Sequence, residues 1–405
     1  MLDVLIIAHF TQVPGEAGNG RFHYIASKLA KNSSKIEVVT TSFSHRTKLP
    51  RNVSTEQFDE FNYNLTLLKE PGYKKNVSLR RFYSHYIFAR NLRKYLKTRS
   101  KPDVIYCAVP SLDAAKVAAS YARMHNVRFI IDIQDLWPEA FKMVFNMPVI
   151  SDFIFYPMQQ IANYIYRTAD EVIAVSDTYK ERALKVNTKV NDGHSIYLGT
   201  DLETFDEMKK LNKFNDKPSN EIWFCYVGTL GHSYDLTTVI DALEIIQRKD
   251  SIYNLKFIVM GDGPLRTKFE EYAKSKQINA LFTGRLSYNE MVGILGVCDI
   301  AVNPITKGAA QSIINKHGDY AAAGLPVINT QESLEYKNLV SSYNMGLNCN
   351  NNDPIDLAEK LVLLLENEEM RINMGKNSRR LAEEKFDRRN SYNKIMDIIY
   401  KFNNF

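Results

Sequence analysis

The sequence predicts an α/β protein built from two doubly wound parallel sheets. Strand-like and helix-like segments alternate along the whole chain, and the alternation pauses at a polar stretch, Lys209–Asn220, and then restarts. The length of 405 residues also fits two domains, since ordinary domains run to roughly 100–200 residues.

In the first half, short apolar runs predict the strands of one sheet. A helical pattern over Phe22–Lys31 follows the first run, and further helical stretches separate the others. This order is typical of parallel strands joined by helices that cover both faces of the sheet. The predicted strands are Val4–Ala8, Ile36–Thr40, Val104–Ala108, Phe129–Asp132, Asp170–Ser176 and Ser195–Leu198.

The stretch Lys209–Asn220 is polar and contains Pro218, so it is the best linker candidate. The strands predicted after it are Ile222–Val227, Leu255–Met260, Ala280–Thr283, Ile300–Asn303 and Val327–Asn329. We therefore predict a first domain over residues 1–205, a second over 206–385 and a C-terminal helix over 386–405 that packs back toward the first domain. The carboxyl ends of both sets of strands should border a ligand-sized cleft.

The composition is that of a globular protein, with 45% apolar and 24% charged residues. The formal net charge of +6 is uneven: residues 1–200 hold 27 Lys/Arg and 18 Asp/Glu (+9), and the remainder holds 25 and 28 (−3). A basic first half could face anionic membrane lipid, a phosphorylated acceptor or nucleic acid.

The sequence favours a cytoplasmic protein. Its four cysteines lie far apart and form no CxxC pair, which argues against a zinc site and a disulfide framework. No apolar run reaches the roughly 18–20 residues that span a bilayer. The apolar stretch Leu2–Phe10 lacks a basic flank before it and is interpreted as a strand, not a signal peptide.

A glycine-containing loop, Pro14–Arg21, connects the first predicted strand to the first helix. Glycines such as Gly20 let a phosphate approach backbone N–H groups and the positive end of a helix dipole, and Arg21 could add charge. A dinucleotide dehydrogenase would also need an acidic residue at the end of the second strand. That strand ends in Thr40 and Thr41, so the sequence disfavours a nicotinamide cofactor.

Two strand ends in the second half are further candidate binding loops. Gly261 and Gly263 follow one strand, in a segment that a plain turn would equally explain. Arg285 and Leu286 follow the next. Backbone groups there could bind a nucleobase edge while Leu286 packs on its face.

The most informative segment is Asn303–Asn329. A loop leads into a helix predicted from about Ser312 to Ala323, and the amino end of such a helix can bind a diphosphate. Lys316 could add a positive charge near a leaving phosphate. Asp319 lies three residues further on the same helix face, where a carboxylate can accept both hydroxyls of a ribose. A solvated Lys–Asp pair on a surface helix is the alternative.

This segment resembles the donor-site motif of the retaining glycosyltransferases of family 4, which have the GT-B fold of two Rossmann-like domains facing a cleft. The resemblance covers nearly the whole chain, because other motifs follow in the family's order. The matching residues are Gly20, Gly199-Thr200-Asp201 with Phe205, Tyr226-Val227-Gly228, Gly261-x-Gly263-Pro264, and Asn315-Lys316-x-x-Asp319-Tyr320 with Ala322-Ala323-Gly324-x-Pro326-Val327. The segment Asp135–Glu139 (DLWPE) is similar to that of a bacterial subgroup that builds surface polysaccharides.

The chain departs from the family pattern at four places. Gln311 replaces the first of two acids, and Gln134 replaces a frequent histidine. Thr229 and Tyr234 occupy the places of a frequent Arg and Lys. The diphosphate must then be bound by other groups, for which the candidates are Lys316, Arg285, Arg21, His232 and the backbone near Gly228, Thr229, Gly231 and Gly308, with Ser312 and Asn315 at the helix start.

The resemblance implies a nucleotide-sugar donor, with UDP the favoured nucleotide, and a lipid-linked or polysaccharide acceptor in capsule, O-antigen or exopolysaccharide synthesis. It implies no protein nucleophile, because the donor's own phosphate oxygen can take the acceptor proton. Asp135 and Glu139 are the candidates for placing or deprotonating the acceptor. The sequence shows no metal-binding cluster, so we expect neither a metal nor another cofactor.

The stretch Lys74–Lys101 contains ten Lys/Arg and no Asp/Glu. A helix from about Leu79 to Thr98 would be amphipathic and cationic, which fits docking on an anionic membrane. An ordinary solvated helix is the alternative. The nearby apolar segment Phe141–Tyr166, which includes Phe145 and Met147, could receive a lipid-linked acceptor or could simply be core.

Two other functions stay open at this point. A nucleotide-sugar epimerase with the same fold would convert its donor without an acceptor. A nucleic-acid-binding protein would need a duplex-length basic stripe or a known binding module beside Lys74–Lys101, and the sequence shows neither, so we expect no nucleic-acid partner.

Overall fold

A computed structural model describes residues 1–13, 16, 20–31, 34–51, 62–76, 78–145, 148–249, 253–308 and 313–401, with the backbone alone at 143–145 and 148–150. The chain divides into two units. Unit 1 comprises Met1–Tyr197 and Tyr392–Phe405, and unit 2 comprises Leu198–Ser391. The first division thus lies before the predicted position at 205, and the chain returns to unit 1 after the predicted 386.

Unit 1 contains a seven-stranded parallel sheet with the order β5-β2-β1-β6-β7-β8-β9. A two-stranded antiparallel ribbon of β3 and β4 follows β2 in the chain. The strands are β1 (Asp3–Ile7), β2 (Lys35–Thr41), β3 (Phe43–Ser44), β4 (Leu49–Pro50), β5 (Asn64–Leu68), β6 (Val104–Val109), β7 (Arg128–Ile133), β8 (Glu171–Ala174) and β9 (His194–Ser195).

Helices cover both faces of this sheet. Alternate residues of β1 enter two different cores, Leu5 and Ile7 one and Val4 and Ile6 the other, as expected for a strand buried on both sides. The helices of unit 1 are α1 (Arg21–Ala30), α2 (Leu79–Thr98), α3 (Leu112–His125), α4 (Glu139–Phe145), α5 (Pro148–Thr168), α6 (Asp177–Leu184) and, from the end of the chain, α16 (Asn393–Tyr400).

Unit 2 contains a six-stranded parallel sheet with the order β12-β11-β10-β13-β14-β15. Its strands are β10 (Ile222–Val227), β11 (Leu255–Met260), β12 (Ala280–Gly284), β13 (Ile300–Asn303), β14 (Val327–Asn329) and β15 (Gly346–Asn348). The side chains of Phe224, Phe257 and Ile328 are fully or almost fully buried in its core.

Nine helices of the described part of unit 2 surround this sheet. They are α7 (Leu202–Leu211), α8 (Leu236–Lys249), α9 (Arg266–Ser275), α10 (Tyr288–Leu295), α11 (Asn315–Ala323), α12 (Leu334–Ser342), α13 (Pro354–Glu366), α14 (Glu368–Leu381) and α15 (Arg388–Ser391), with a π-helical turn at Ala382–Phe386.

The predicted fold class is confirmed: both units are α/β with parallel sheets. Every strand named from the sequence lies within two or three residues of an observed one. The strands β3, β4, β5 and β15 were not predicted. The helix expected to start near Ser312 starts at Asn315, and Ser312 itself is outside the described residues.

Candidate functional site

Two loops at the carboxyl edge of the unit 2 sheet pack backbone against backbone. A Cβ atom added at Gly261 would lie 1.8 Å from the carbonyl oxygen of Gly228, and one added at Gly263 would lie 2.4 Å from that of Leu230. Both Gly228 and Gly261 have φ near +150°, which side chains rarely adopt. Packing between the loops after β10 and β11 therefore requires the glycines that the sequence suggested for ligand approach.

Helix α11 is fixed in rotation by Tyr320. Its hydroxyl accepts the N–H of Val227 at 2.8 Å and donates to the carbonyl of Val302 at 3.3 Å, joining the helix to β10 and β13. The helix ends at Gly324, which has φ of +73° and serves as a left-handed cap. This anchoring buries both Lys316 and Asp319, so neither is a surface residue.

The Lys316 ammonium is buried without a counter-ion among the described residues. Its side chain is 6% exposed, and Nζ forms no hydrogen bond within the described chain. Nζ lies 4.4 Å from the ring centre of Tyr226 and 4.0 Å from that of Tyr234. Burial lowers the pKa of Lys316 well below its usual range, because the rings only partly replace lost hydration.

The Asp319 carboxylate is held by two hydroxyl groups of unit 2. Oδ1 accepts from Tyr288 at 2.9 Å and from Thr200 at 3.2 Å. Burial raises the pKa of Asp319, and these two donors partly oppose that rise. Gly318 makes the arrangement possible, because a Cβ there would lie 2.8 Å from the Thr200 hydroxyl oxygen. No described residue donates a hydrogen bond to Oδ2.

His317, between these two residues, is a packing group. Its ring stacks on Tyr336 with centres 3.7 Å apart, and Nδ1 accepts the N–H of Ile314 at 3.2 Å. Burial and the nearby Lys316 lower the pKa of His317, which keeps the ring neutral. A neutral His317 adds no charge to the site.

The other predicted donor ligands are more dispersed. Thr229, His232, Arg285 and Asn315 are exposed, whereas Gly231 and Leu286 are half-buried. The N–H of Gly308 donates to Glu332 at 3.0 Å, so an internal partner already occupies it. Gln311 and Ser312 lie outside the described residues.

Arg21 requires a correction, because the structure gives its guanidinium internal partners. It is 2% exposed, and Nε and Nη2 donate to Asp132 at 2.7 and 3.3 Å. Nη1 donates to the carbonyl of Tyr197 at 3.1 Å. These contacts occupy all three nitrogens, so we remove Arg21 from the candidate diphosphate ligands. Gly20 precedes α1 with φ of +66° and stays a candidate.

Asp135 and Glu139, the acceptor candidates, follow β7 in unit 1. The two oxygens of Asp135 accept the N–H of Leu136 at 2.9 Å and the Trp137 indole N–H at 3.1 Å. Burial raises the pKa of Asp135, a direction that favours proton acceptance. Glu139 forms an ion pair with Arg182 at 2.5 Å, which gives it a structural partner on α6.

The basic stretch is helical as predicted, but two of its ten cations are not at the surface. Arg81 is 8% exposed, and Arg99 forms ion pairs with Glu37 and Asp3. Neither Arg81 nor Arg99 can therefore serve as a membrane-facing cation. The eight exposed cations, none of which forms an ion pair with a described residue, are Lys74, Lys75, Arg80, Arg90, Arg93, Lys94, Lys97 and Lys101.

Several site residues could not be assigned from the sequence. Tyr288 contributes a hydroxyl, but a lone tyrosine carries no motif. Tyr226 lies in the matching segment Tyr226-Val227-Gly228, but that segment does not predict the contact of its ring with Lys316. In unit 1, His9 bonds Ser111 through Nδ1 at 2.7 Å and Glu70 through Nε2 at 3.0 Å. His9, Glu70 and Ser111 each follow a strand within two residues, and that shared position was the available signal.

Among the described residues, no three His, Cys, Asp or Glu side chains are grouped so as to hold a metal ion. No described helix combines the length and apolar character that crossing a membrane requires.

Comparison with known families matches each half of the chain separately. The family described as Glycosyltransferase Family 4 matches residues 21–204, and the family described as Glycosyl transferases group 1 matches residues 207–381. These ranges follow the two structural units closely.

The similar proteins include an uncharacterized glycosyltransferase, MJ1069, of Methanocaldococcus jannaschii, which is 24% identical over 58% of this chain and 60% of its own length. The capsular polysaccharide biosynthesis glycosyltransferase CapM of Staphylococcus aureus is 22% identical over 71% of this chain and 74% of its own. The matches span 56–60% of the length of the first curated relatives.

Among solved structures, Anabaena Alr3699/HepE in complex with UDP has a TM-score of 0.71 at 15% identity, covering 99% of this chain and 100% of that one. This likeness shows the GT-B fold. One glycosyltransferase family model thus matches each half of the chain, and the chain has the GT-B fold.

Proposed function

We propose that the protein transfers a hexose or N-acetylhexosamine from a UDP-sugar, with retention of configuration, to a lipid-linked or polysaccharide acceptor. The pathway class is bacterial surface polysaccharide synthesis, in line with the DLWPE segment at Asp135–Glu139 and with the name of the relative CapM. The UDP complex of Alr3699/HepE supports the choice of nucleotide.

The observation that carries the proposal is the unpaired ammonium of Lys316. Burying a cation without a counter-ion costs desolvation free energy, and an anionic ligand offsets that cost. A diphosphate beside Lys316 would supply two or more negative charges where the described chain supplies none. Asp319, three residues along the same helix, is our candidate for the ribose hydroxyls.

The chemical step breaks the bond between the anomeric carbon and the diphosphate oxygen, and its electron pair stays on the diphosphate. The acceptor hydroxyl oxygen forms the new bond from the same face, and its proton passes to a phosphate oxygen of the leaving group. Lys316 would stabilise the charge that grows on the diphosphate. Asp135 would place the acceptor hydroxyl. No described residue suggests a covalent nucleophile, so the step needs no covalent enzyme intermediate.

A panel of nucleotide sugars tests the proposal. Thermal unfolding should shift upward with one UDP-sugar, because a ligand that binds the folded state stabilises it by mass action. Transfer is then assayed with that donor and a lipid-linked glycan. A donor that is isomerised without acceptor would instead favour the epimerase alternative, and no shift with any nucleotide sugar would contradict both.

We also propose that unit 1 docks on an anionic bilayer through one face of α2. Its exposed residues follow helical spacing, with Leu79, Tyr83 and Tyr86 first and Arg90 and the other basic residues after them. Helix α5 also exposes Phe153, Ile154 and Tyr156. Aromatic groups beside exposed cations are typical of proteins that bind a lipid interface. Each cation near the membrane surface contributes about 1 kcal/mol of binding free energy.

Liposome sedimentation tests the docking surface. Replacing Arg90, Arg93, Lys94 and Lys97 with glutamate should release the protein from vesicles that contain anionic phosphatidylglycerol. The matched control reverses Lys268 and Lys274 on α9 of unit 2, which should leave binding unchanged. Equal sedimentation with neutral phosphatidylcholine vesicles would contradict the electrostatic part.

A further inference from the structure

A second group of buried cations lies in unit 1, at the carboxyl edge of its sheet. We define the Arg81 cluster as residues from the loops after β1, β3, β5 and β7 and from the first two turns of α2. Its members are Phe10, His45, Lys48, Tyr73, Arg81, His85 and Trp137.

Aromatic rings surround the Arg81 guanidinium. Its Cζ lies 4.7 Å from the ring centre of Trp137, 5.5 Å from that of Phe10 and 5.6 Å from that of Tyr73. Nη1 donates to the carbonyl of Asn76 at 2.8 Å, but buried Nε has no hydrogen-bond partner in the described chain. Arg81 is thus positioned by rings and a carbonyl, without an ion pair to a described residue.

His85 lies one helical turn after Arg81. Its ring stacks on Trp137 with centres 5.9 Å apart and an interplanar angle of 14°. His85 is 1% exposed, and Nε2 lacks a hydrogen-bond partner among the residues that the structure describes. A second buried nitrogen is therefore unsatisfied beside the first.

Lys48 and His45 form the half-buried rim of the cluster. Lys48 Nζ lies 4.8 Å from the Tyr73 ring centre and donates to the side-chain oxygen of Asn76 at 2.5 Å. Burial, followed by the charge of Arg81, lowers the pKa of Lys48 to about 8. Burial, followed by Lys48 and Arg81, lowers the pKa of His45 to about 3. Burial is the larger cause of both shifts, and the neighbouring positive charges add to it.

The nearby acids are already bonded elsewhere. Glu70 accepts from His9 at 3.0 Å through Oε1 and from Ser84 at 2.7 Å through Oε2. Asp135 accepts from the backbone of Leu136 and from the Trp137 indole. No described carboxylate forms an ion pair with Arg81 or Lys48, which leaves room for an anion from outside the chain.

We propose that the Arg81 cluster binds an oxyanion of the acceptor, a phosphate or a carboxylate, through Arg81 and His85. The inference rests on the proposed function, because it takes the transferase acceptor as the ligand. Planar guanidinium groups match both oxyanions in geometry. The acceptor class is therefore an acidic glycan or a glycan phosphate, not a neutral oligosaccharide.

The experiment uses Trp137 as the reporter. The chain has two tryptophans, so the Trp223→Phe variant leaves Trp137 alone. UDP binding is first measured by calorimetry, and UDP is then kept saturating so that phosphate cannot report the donor site. Sodium phosphate, sodium glucuronate and neutral glucose are titrated at constant ionic strength while Trp137 fluorescence is followed.

We expect a saturable fluorescence change with phosphate or glucuronate and none with glucose, and the tighter of the two anions identifies the group. Arg81→Gln should weaken that binding at least tenfold, and Lys48→Gln should weaken it less. Arg123→Gln on α3, which removes one exposed charge elsewhere in unit 1, is the matched control and should bind normally. Thermal unfolding checks that each variant is folded.

Two results would overturn the inference while the proposed function stands: UDP binds but neither anion does, or Arg81→Gln and Lys48→Gln both bind the anion like wild type. If Arg81→Gln does not fold, Lys48→Gln alone decides, because Lys48 is on the rim. Absence of UDP binding would instead contradict the proposed donor, whatever the anions do.

Discussion

Arg21 of unit 1 and Lys316 of unit 2 are both buried cations near strand ends, and both were predicted to bind a diphosphate. The structure separates them. Arg21 donates to Asp132 and to a backbone carbonyl through all three nitrogens. Lys316 contacts two tyrosine rings and forms no ion pair with a described residue. The presence of an internal partner therefore distinguishes a structural cation from one available to a ligand.

The Arg21 half of the comparison makes the largest prediction. Arg21→Met should lower the free energy of unfolding by about 3–5 kcal/mol, because it leaves Asp132 buried without its cation. Of the residues that the structure describes, Tyr106 alone would still donate to Asp132, at 2.6 Å. Denaturant unfolding measures the loss. The Arg21→Met, Asp132→Asn double variant is the control and should recover part of it; no recovery would contradict the ion-pair explanation.

Lys316→Met should act in the opposite way. It removes an unpaired buried charge, so the unfolding free energy should stay equal or rise, while turnover falls by about 10²–10³-fold from lost stabilisation of the leaving diphosphate. Steady-state kinetics and thermal unfolding of the same sample measure both. A stable variant with normal turnover would remove Lys316 from the mechanism, and a destabilised one would make it structural like Arg21.

Asp319→Asn should weaken UDP binding by about tenfold or more, since hydrogen bonds to a charged group contribute about 1.5–3 kcal/mol. The asparagine oxygen can still accept from Thr200 and Tyr288, so the fold should persist. Calorimetry with UDP and with 2′,3′-dideoxy-UDP separates the cause: the loss should vanish for the dideoxy nucleotide. An equal loss for both would contradict the ribose role.

The smallest effect concerns pH. Burial lowers the pKa of Lys316 in the folded protein, while its unfolded value stays near 10.5. Between these values the unfolded state binds more protons, so stability should rise with pH. Lys316→Met should flatten that rise. If wild type and Lys316→Met show the same dependence of stability on pH, Lys316 stays charged in the folded protein because a partner outside the described residues stabilises the charge.

The fold was largely predictable because central parallel strands are continuous apolar runs. Ile222–Val227 and Leu255–Met260 were predicted with their observed bounds for this reason. The strand Asn64–Leu68 was missed because it lies at the sheet edge and its residues are exposed or half-buried. Gly346–Asn348 was missed because three residues are too few to show a pattern.

The site was predictable only where one segment carries it. Lys316 and Asp319 share a helix turn, so spacing alone placed them on one face. Arg81 was assigned to a membrane surface because charge in a sequence does not show direction, and its partners Phe10 and Trp137 are distant in sequence. Contacts of that kind arise from the order of the strands, which no local pattern contains.

The return of the chain to unit 1 at Tyr392 has a consequence for synthesis. Ile395, Ile398 and Ile399 of α16 are buried in a core of unit 1, and the Tyr392 ring covers Arg21 at 4.7 Å. A segment made after unit 2 thus completes unit 1, while unit 2 is continuous along the chain. During synthesis on a ribosome, all residues of unit 2 are made before unit 1 is complete. A nascent chain that stops before residue 392 therefore lacks the helix that completes this core of unit 1.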